Sequence, residues 1–215
     1  MHIISVQAVR RLDNAMAQRY WSRFIDEDGS WNSPDNRPPG EDLAALRAGL
    51  GREALTVPKM WPFYTVGPDP DGERYGTASI AQEAEHAALA LYGLHQQSQT
   101  EPMHRPGVGV GTALLNLRRK DPDNVKPVDR RVSALVTSTS LTALLNRMRG
   151  LVTQLREAEQ PLDYDQLVRD LHAWPRPDGR RRVRKSWAQG YQRWTDKTEP
   201  DAAGDAPDNR ISKES

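Results

Sequence analysis

Apolar residues recur at three- and four-residue spacing along most of the chain, and the alternation of a half-buried strand is nearly absent. That period predicts an all-α fold with no sheet. Residues 5–26 read as a first helix, with Val6, Val9, Met16, Tyr20 and Phe24 toward one side. Residues 29–40 (GSWNSPDNRPPG) form a loop by their Gly, Pro and Asn content. A short helix over residues 41–50 aligns Leu43, Leu46 and Leu50. Residues 57–64 (VPKMWPFY) set two prolines among large apolar groups and predict an irregular plug in the core. DPDG at residues 69–72 is a turn, and residues 79–95 form a long alanine-rich helix. Ile80, Ala84, Ala87, Leu91 and Leu94 share one face of it, and its small residues allow a neighbouring helix to come close.

A break at residues 98–109 separates this half from the next. Residues 111–119 open a helix with Leu114, Leu115 and Leu117, and DPDN at 121–124 turns the chain. Val128, Val132, Leu135 and Val136 mark another helix. The clearest stripe is Leu141, Leu144, Leu145, Met148, Leu151, Val152 and Leu155, which at 100° per residue falls within roughly 120°. Asp163 reads as an N-cap with Gln166 as its capping-box partner. The helix it opens carries Tyr164, Leu167, Val168 and Leu171 and ends near Trp174-Pro175. After a PRPDG turn, a last helix aligns Val183, Trp187, Tyr191 and Trp194. The expectation is a compact bundle of roughly eight helices in two halves, residues 1–100 and 101–198, with a disordered acidic tail at 199–215.

Charge adds a function class to this picture. Residues 1–100 hold 9 Lys/Arg against 13 Asp/Glu, residues 101–198 hold 19 against 11, and residues 199–215 hold 2 against 5. The near-neutral total of +1 therefore hides a basic half between acidic flanks. Such a surface suits a polyanion, most simply a nucleic-acid backbone. Of the 30 basic residues 24 are Arg, whose planar fork binds two phosphate oxygens at once; a GC-rich genome explains the same excess. The basic residues gather as Arg118-Arg119-Lys120, Arg130-Arg131, Arg147, Arg149, Arg156 and the run from Arg180 to Lys185. On a helical wheel Arg149 and Arg156 lie about 20° apart on one flank of the apolar stripe, with Arg147 on the other. Any single arginine is more simply a solvated or i,i+4-paired group. Nothing in the chain reads bases: there is no zinc-finger spacing and no exposed aromatic strand pair. The expected mode is phosphate contact that weakens with salt.

Other chemistries fit less well. With no cysteine there is no disulfide framework or thiolate metal site. No apolar run approaches the roughly 18 residues of a membrane span, and the start lacks a secretory pattern, so a cytoplasmic protein is expected. Glu83-x-x-His86 and Glu101-x-x-His104 share the spacing of di-iron bundles, but no further pair of inward glutamates accompanies them. Asp163, Asp165, Asp170 and His172 read as a cap, first-turn carboxylates and surface charge. The glycines at 107, 109 and 111 precede a helix, and their amides could meet a phosphate, without the preceding strand of a dinucleotide site or the Gly-Lys-Ser/Thr of a P-loop. The reading is a non-enzyme with no cofactor and no metal. The six tryptophans look like core and interface anchors.

In order, LAALRAGLGR (residues 43–52), WPFY (61–64), ALYGLH (90–95), GVGTALLNL (109–117), DRRVSALV (129–136), LLNRMRGLVTQLR (144–156), LDYDQLVRDLHAW (162–174) and VRKSWAQGY (183–191) resemble the CasB family, the small subunit of the type I-E CRISPR surveillance complex Cascade. Each segment is a helix fragment, and their joint order carries the resemblance. The ends depart from the family pattern, and the glycine-rich helix entry is looser. The resemblance implies an all-helical, non-catalytic subunit present in two copies. It implies as partners the crRNA-bearing backbone subunits, the large subunit and target DNA, whose target and displaced strands lie in basic grooves. The matching positions are Arg47, Arg52, Arg118, Arg119, Arg130, Arg131, Arg149, Arg184 and Lys185. Two alternatives stand beside this: a free-standing helical nucleic-acid-binding protein, and a purely structural adaptor.

Overall fold

The computed structural model describes residues 19–67, 74, 76–120 and 122–192. The first-helix positions before Arg19, the DPDG turn, Trp194 and the acidic tail lie outside the described residues. Seven α-helices follow in order among the described residues: α1 (Gly40–Arg47), α2 (Ile80–Gln96), α3 (Val110–Lys120), α4 (Val125–Val136), α5 (Leu141–Glu157), α6 (Tyr164–Ala173) and α7 (Pro177–Tyr191). Single 3-10 turns occupy Tyr20–Arg23, Pro58–Phe63 and Pro122–Asn124. No strand forms among them; Ile25–Trp31 and His104–Leu162 make isolated bridges.

The central element is α2, which packs against α1, α5 and α6. Thirteen of its 17 residues are buried, so its alanine content serves burial on nearly all sides rather than one stripe. Its start is fixed by a full capping box: Gln82 N–H donates to Ser79 Oγ at 3.2 Å, and Ser79 N–H donates to Gln82 Oε1 at 2.9 Å. Gly93 lets α1 lie directly on α2, since a Cβ there would meet Leu46 Cβ at 2.7 Å and Leu43 O at 3.0 Å. The stripe on α5 is buried as its spacing predicts: Leu144, Met148, Leu151, Val152 and Leu155 all reach the core. Asp163 caps α6 through the Gln166 N–H at 2.8 Å. The reciprocal half of that box is absent, because the Asp163 N–H donates to Val108 O at 2.7 Å and the Gln166 side chain turns to Asp170 at 2.8 Å.

Two sequence expectations change. The predicted first helix does not run through its described end: Tyr20–Arg23 is one 3-10 turn, and the chain then folds back at Ile25. Tyr20 and Trp21 drive this, because both are fully buried, and Trp21 sits within 5.7 Å of the Tyr92, Tyr164 and His104 rings. Consecutive side chains of a helix point about 100° apart, and both are covered here because Tyr92 of α2 lies against the two rings and Tyr164 of α6 against Trp21. The VPKMWPFY plug does enter the core through Met60 and Phe63, but as a 3-10 turn with Trp61 58% exposed.

Burial also sets an acid limit on the fold. Four of the five histidines are described, and desolvation lowers the pKa of each, His95 down to about 3. A lowered histidine is neutral in the folded chain while the unfolded chain takes its proton near 6.5, so stability falls as pH drops through that value. Each fully buried imidazole contributes up to about 1.4 kcal/mol per pH unit. Asp165 and Asp170 act with the opposite sign, since burial raises their pKa values and favours the folded chain at lower pH. The steepest loss is therefore expected between about pH 6.5 and 5. Thermal melts should show a clear drop in Tm across that window, and a smaller one in His95→Gln. Equal Tm at both ends would contradict neutral buried histidines.

Candidate nucleic-acid interface

Helix α4 buries Val128, Val132 and Leu135 and turns Arg130 and Arg131 outward. Both are exposed, and neither guanidinium has a hydrogen bond or ion pair among the described residues. The neighbouring basic run at the end of α3 is different. Arg118 Nε donates to Asp129 Oδ1 at 3.0 Å, and Tyr191 OH donates to the same oxygen. Arg119 is exposed but engaged. Lys120 Nζ donates to Ala158 O at 2.6 Å, where it satisfies a terminal carbonyl of α5.

A second set of arginines closes the α4–α5 connection. Arg147 Nη1 donates to Ala134 O and Ser138 Oγ, each at 2.6 Å. Arg180 Nη1 donates to Thr139 O at 2.9 Å. Arg184 donates to Ser138 O, and its guanidinium lies 5.5 Å from the centre of the Trp174 ring. Arg184 thus points into the fold, while Lys185 beside it is exposed.

The remaining predicted positions come from opposite ends of the sequence. Arg47 is half-buried at the end of α1. Arg52, on the turn after α1, and Arg149, on α5, line one cleft of about 290 Å³ whose floor is α2. The tertiary fold thus joins Arg52 and Arg149. Arg130, Arg131 and Lys185 remain free and exposed, whereas Arg118 and Arg184 are held by the protein and Arg119 is engaged. The signal missed in the sequence was the carbonyls: helix ends and the α4–α5 connection need donors, and arginine and lysine are the long donors within reach.

The acid–base candidates are spent internally. His86 Nδ1 meets Tyr64 OH at 2.7 Å and its Nε2 meets Gly49 O at 3.0 Å. His104 Nδ1 accepts the Tyr164 N–H at 3.1 Å, and its Nε2 lies 3.7 Å from Asp165. Asp165 and Asp170 are not surface charge: Asp165 accepts the Trp21 indole N–H at 3.0 Å, and Asp170, 5% exposed, accepts that of Trp187 at 2.6 Å. The glycine-rich entry is likewise consumed, since the Gly107 N–H donates to Asp163 Oδ2 at 2.8 Å and Gly111 packs against α7. Among the described residues no group of three or more His, Asp and Glu could hold a metal ion, and no helix is long and apolar enough to cross a membrane.

Compared with known families, residues 42–191 match the model of CRISPR-associated protein Cse2. The chain belongs to the Cse2 family. CasB from Thermobifida fusca is similar at 28% identity, with a TM-score of 0.58 over 85% of this chain and 93% of that one. A chain of a CRISPR RNA-guided surveillance complex, at 23% identity, matches with a TM-score of 0.57 over 86% of this chain and 93% of its own. CasB from M. ruber, at 22%, matches with a TM-score of 0.55 over 85% and 93%. The latter two likenesses speak for the fold. No protein of curated function matches in sequence.

The resemblance to CasB is therefore shown, with its all-helical fold. The Cse2 match runs from α1 to the end of α7 and takes in all nine predicted positions, Arg47 to Lys185.

Proposed function

We propose that this Cse2-family chain is the non-catalytic small subunit of a type I-E CRISPR surveillance complex, Cascade, and that its free arginines hold separated DNA strands to stabilise the R-loop. The observation that carries the strand-binding part is the exposed, unpaired Arg130-Arg131 on the rigid face of α4. Forming an R-loop replaces one duplex by another of similar stability, so a few neutralised phosphates tip the balance. No base reading is needed, because the guide RNA supplies the sequence. Family membership, and the likeness in fold to a chain of a CRISPR RNA-guided surveillance complex, support assembly with backbone and large subunits around crRNA, with a second copy of the chain alongside. Trp61, with Leu55 39% exposed beside it, offers an apolar surface for such neighbours. His86, His104 and the buried Asp170 are occupied in holding the fold.

The test is Arg130→Ala/Arg131→Ala in the assembled complex. Target binding should weaken, and the log–log salt slope should fall in magnitude by about 1.4, or about 0.7 for each lost contact to a single strand. Incorporation of the subunit should be unchanged. Unaltered affinity and slope would overturn the strand-binding role of this pair. Failure to incorporate would instead support the adaptor reading, in which the basic face docks on protein or guide RNA.

A further inference from the structure

The cleft shared by Arg52 and Arg149 has walls that phosphate contact alone does not explain. Its floor is aliphatic: Ala87, Ala90 and Leu91 on α2 face Leu145 on α5. Its rim carries both signs of charge, with Arg52 and Arg149 beside Glu53 and Glu83, and Asn146 among them. None of these five side chains has a hydrogen bond or ion pair among the described residues, although they line one space. No ion pair joins the two signs of charge across the rim among the described residues. Left apart, they form a set of two cationic donors, two carboxylate acceptors and one amide around an apolar slot.

We propose that this cleft takes one unstacked nucleotide, with its phosphate on Arg52 and Arg149 and its base lying between α2 and α5. The proposal rests on the nucleic-acid reading above and gives it a place for a base as well as a backbone. A nucleotide presents what the walls lack: an anion for the arginines, flat apolar faces for the alanine and leucine side chains, and exocyclic amino donors for Glu83 and Glu53. The volume, about 290 Å³, lies at the small end of ligand sites; it suits one base rather than a stacked pair. His86 contributes a neutral wall, since both ring nitrogens are already bonded to Tyr64 and Gly49. Carboxylate acceptors favour bases with an amino group and disfavour thymine, which has no exocyclic amino donor and whose one edge N–H is flanked by two carbonyl oxygens that repel a carboxylate. The preference is one of chemical class, not of sequence, and is compatible with a guide RNA specifying the target.

The experiment uses the full chain with methyl-labelled Ala and Leu, titrated with dAMP, dCMP, dTMP and ribose 5-phosphate and followed by NMR. With dAMP and dCMP, ring-current shifts are expected at Ala87, Leu91 and Leu145. dTMP should bind at least about tenfold more weakly, as loss of one hydrogen bond to a charged acceptor implies. Arg52→Ala/Arg149→Ala should remove saturable binding of all the nucleotides, and both positions are exposed enough to leave the fold intact. Glu83→Gln, which adds an amide donor, should shift preference toward dTMP. Absence of methyl shifts at millimolar dAMP would overturn the proposal, as would ribose 5-phosphate binding equal to dAMP or shifts centred on α4. Any of these would leave the R-loop reading standing, because that is measured on the assembled complex through Arg130 and Arg131.

Discussion

Arg19→Met should lower the unfolding free energy by about 3–5 kcal/mol, the cost of leaving a buried charge without its partner. Arg19 and Glu85 are each 1% exposed, and Arg19 Nη1 lies 3.3 Å from Glu85 Oε1. The same guanidinium has its Nε 3.7 Å from Asp165 Oδ1. Burial lowers the Arg19 pKa and the two carboxylates raise it again, yet guanidinium stays charged in any case. Glu85 is further held by the Thr65 N–H at 3.0 Å and the Val66 N–H at 2.9 Å. Those amides remain in Arg19→Met, but they carry no net charge to offset the carboxylate. Glu85→Gln strands the cation instead and should cost a similar amount. The double variant Arg19→Met/Glu85→Leu should recover much of the loss, because an apolar pair of similar volume often matches a buried ion pair. Urea unfolding followed by circular dichroism measures all three. A loss below about 1 kcal/mol for Arg19→Met would show that water reaches the pair.

The crossing of α3 and α7 should be nearly as sensitive. A Cβ at Gly111 would lie 2.2 Å from Trp187 O and 2.9 Å from Gly190 Cα. Both are backbone atoms, so the helices must separate. Gly111→Val should therefore cost about 3 kcal/mol, the upper range for overpacking. The displacement would carry Trp187 off Asp170 and Arg184 off Ser138, which adds unpaired polar groups to the steric cost. Gly190→Ala is milder, with contacts of 3.0 Å to Thr112 N and 3.1 Å to Gly111 Cα. Its gain in helix propensity, about 1 kcal/mol, opposes the strain. The expected order of Tm is wild type and Gly190→Ala close together, Gly111→Ala lower and Gly111→Val lowest. A Gly111→Ala protein as stable as wild type would mean the crossing has slack.

Local pattern was the legible part of this chain. The α5 stripe, the Asp163 cap and the long alanine-rich helix are all present, because periodicity and capping act within a few residues. What escaped were pairings across the sequence. Trp21 and Asp165 are 144 positions apart, so an aspartate in the first turn of α6 looked like a solvated charge when it accepts a buried indole. The 3-10 turn at Tyr20 was hidden for the same reason: Tyr20 packs on Tyr92 of α2 and Trp21 on Tyr164 of α6, and neither contact has a local signature. The arginine set was visible as a set, but its division was not. Arg130 and Arg118 look alike in sequence, and only the position of Asp129 and Tyr191 makes one free and the other bound. The meeting of Arg52 with Arg149 has no local signature at all, since it is a property of how α5 lies on α2.

Arg147, Arg180 and Arg184 fasten the α4–α5 connection from two different helices. In the proposed role this has an entropic meaning. A segment that must settle when a strand arrives subtracts its ordering cost from the affinity, whereas one already fixed does not. The three clamping guanidiniums meet that cost during folding, before any DNA is present. Arginines bonded to the protein itself would then strengthen the grip of Arg130 and Arg131 on phosphate, by preorganisation rather than by charge.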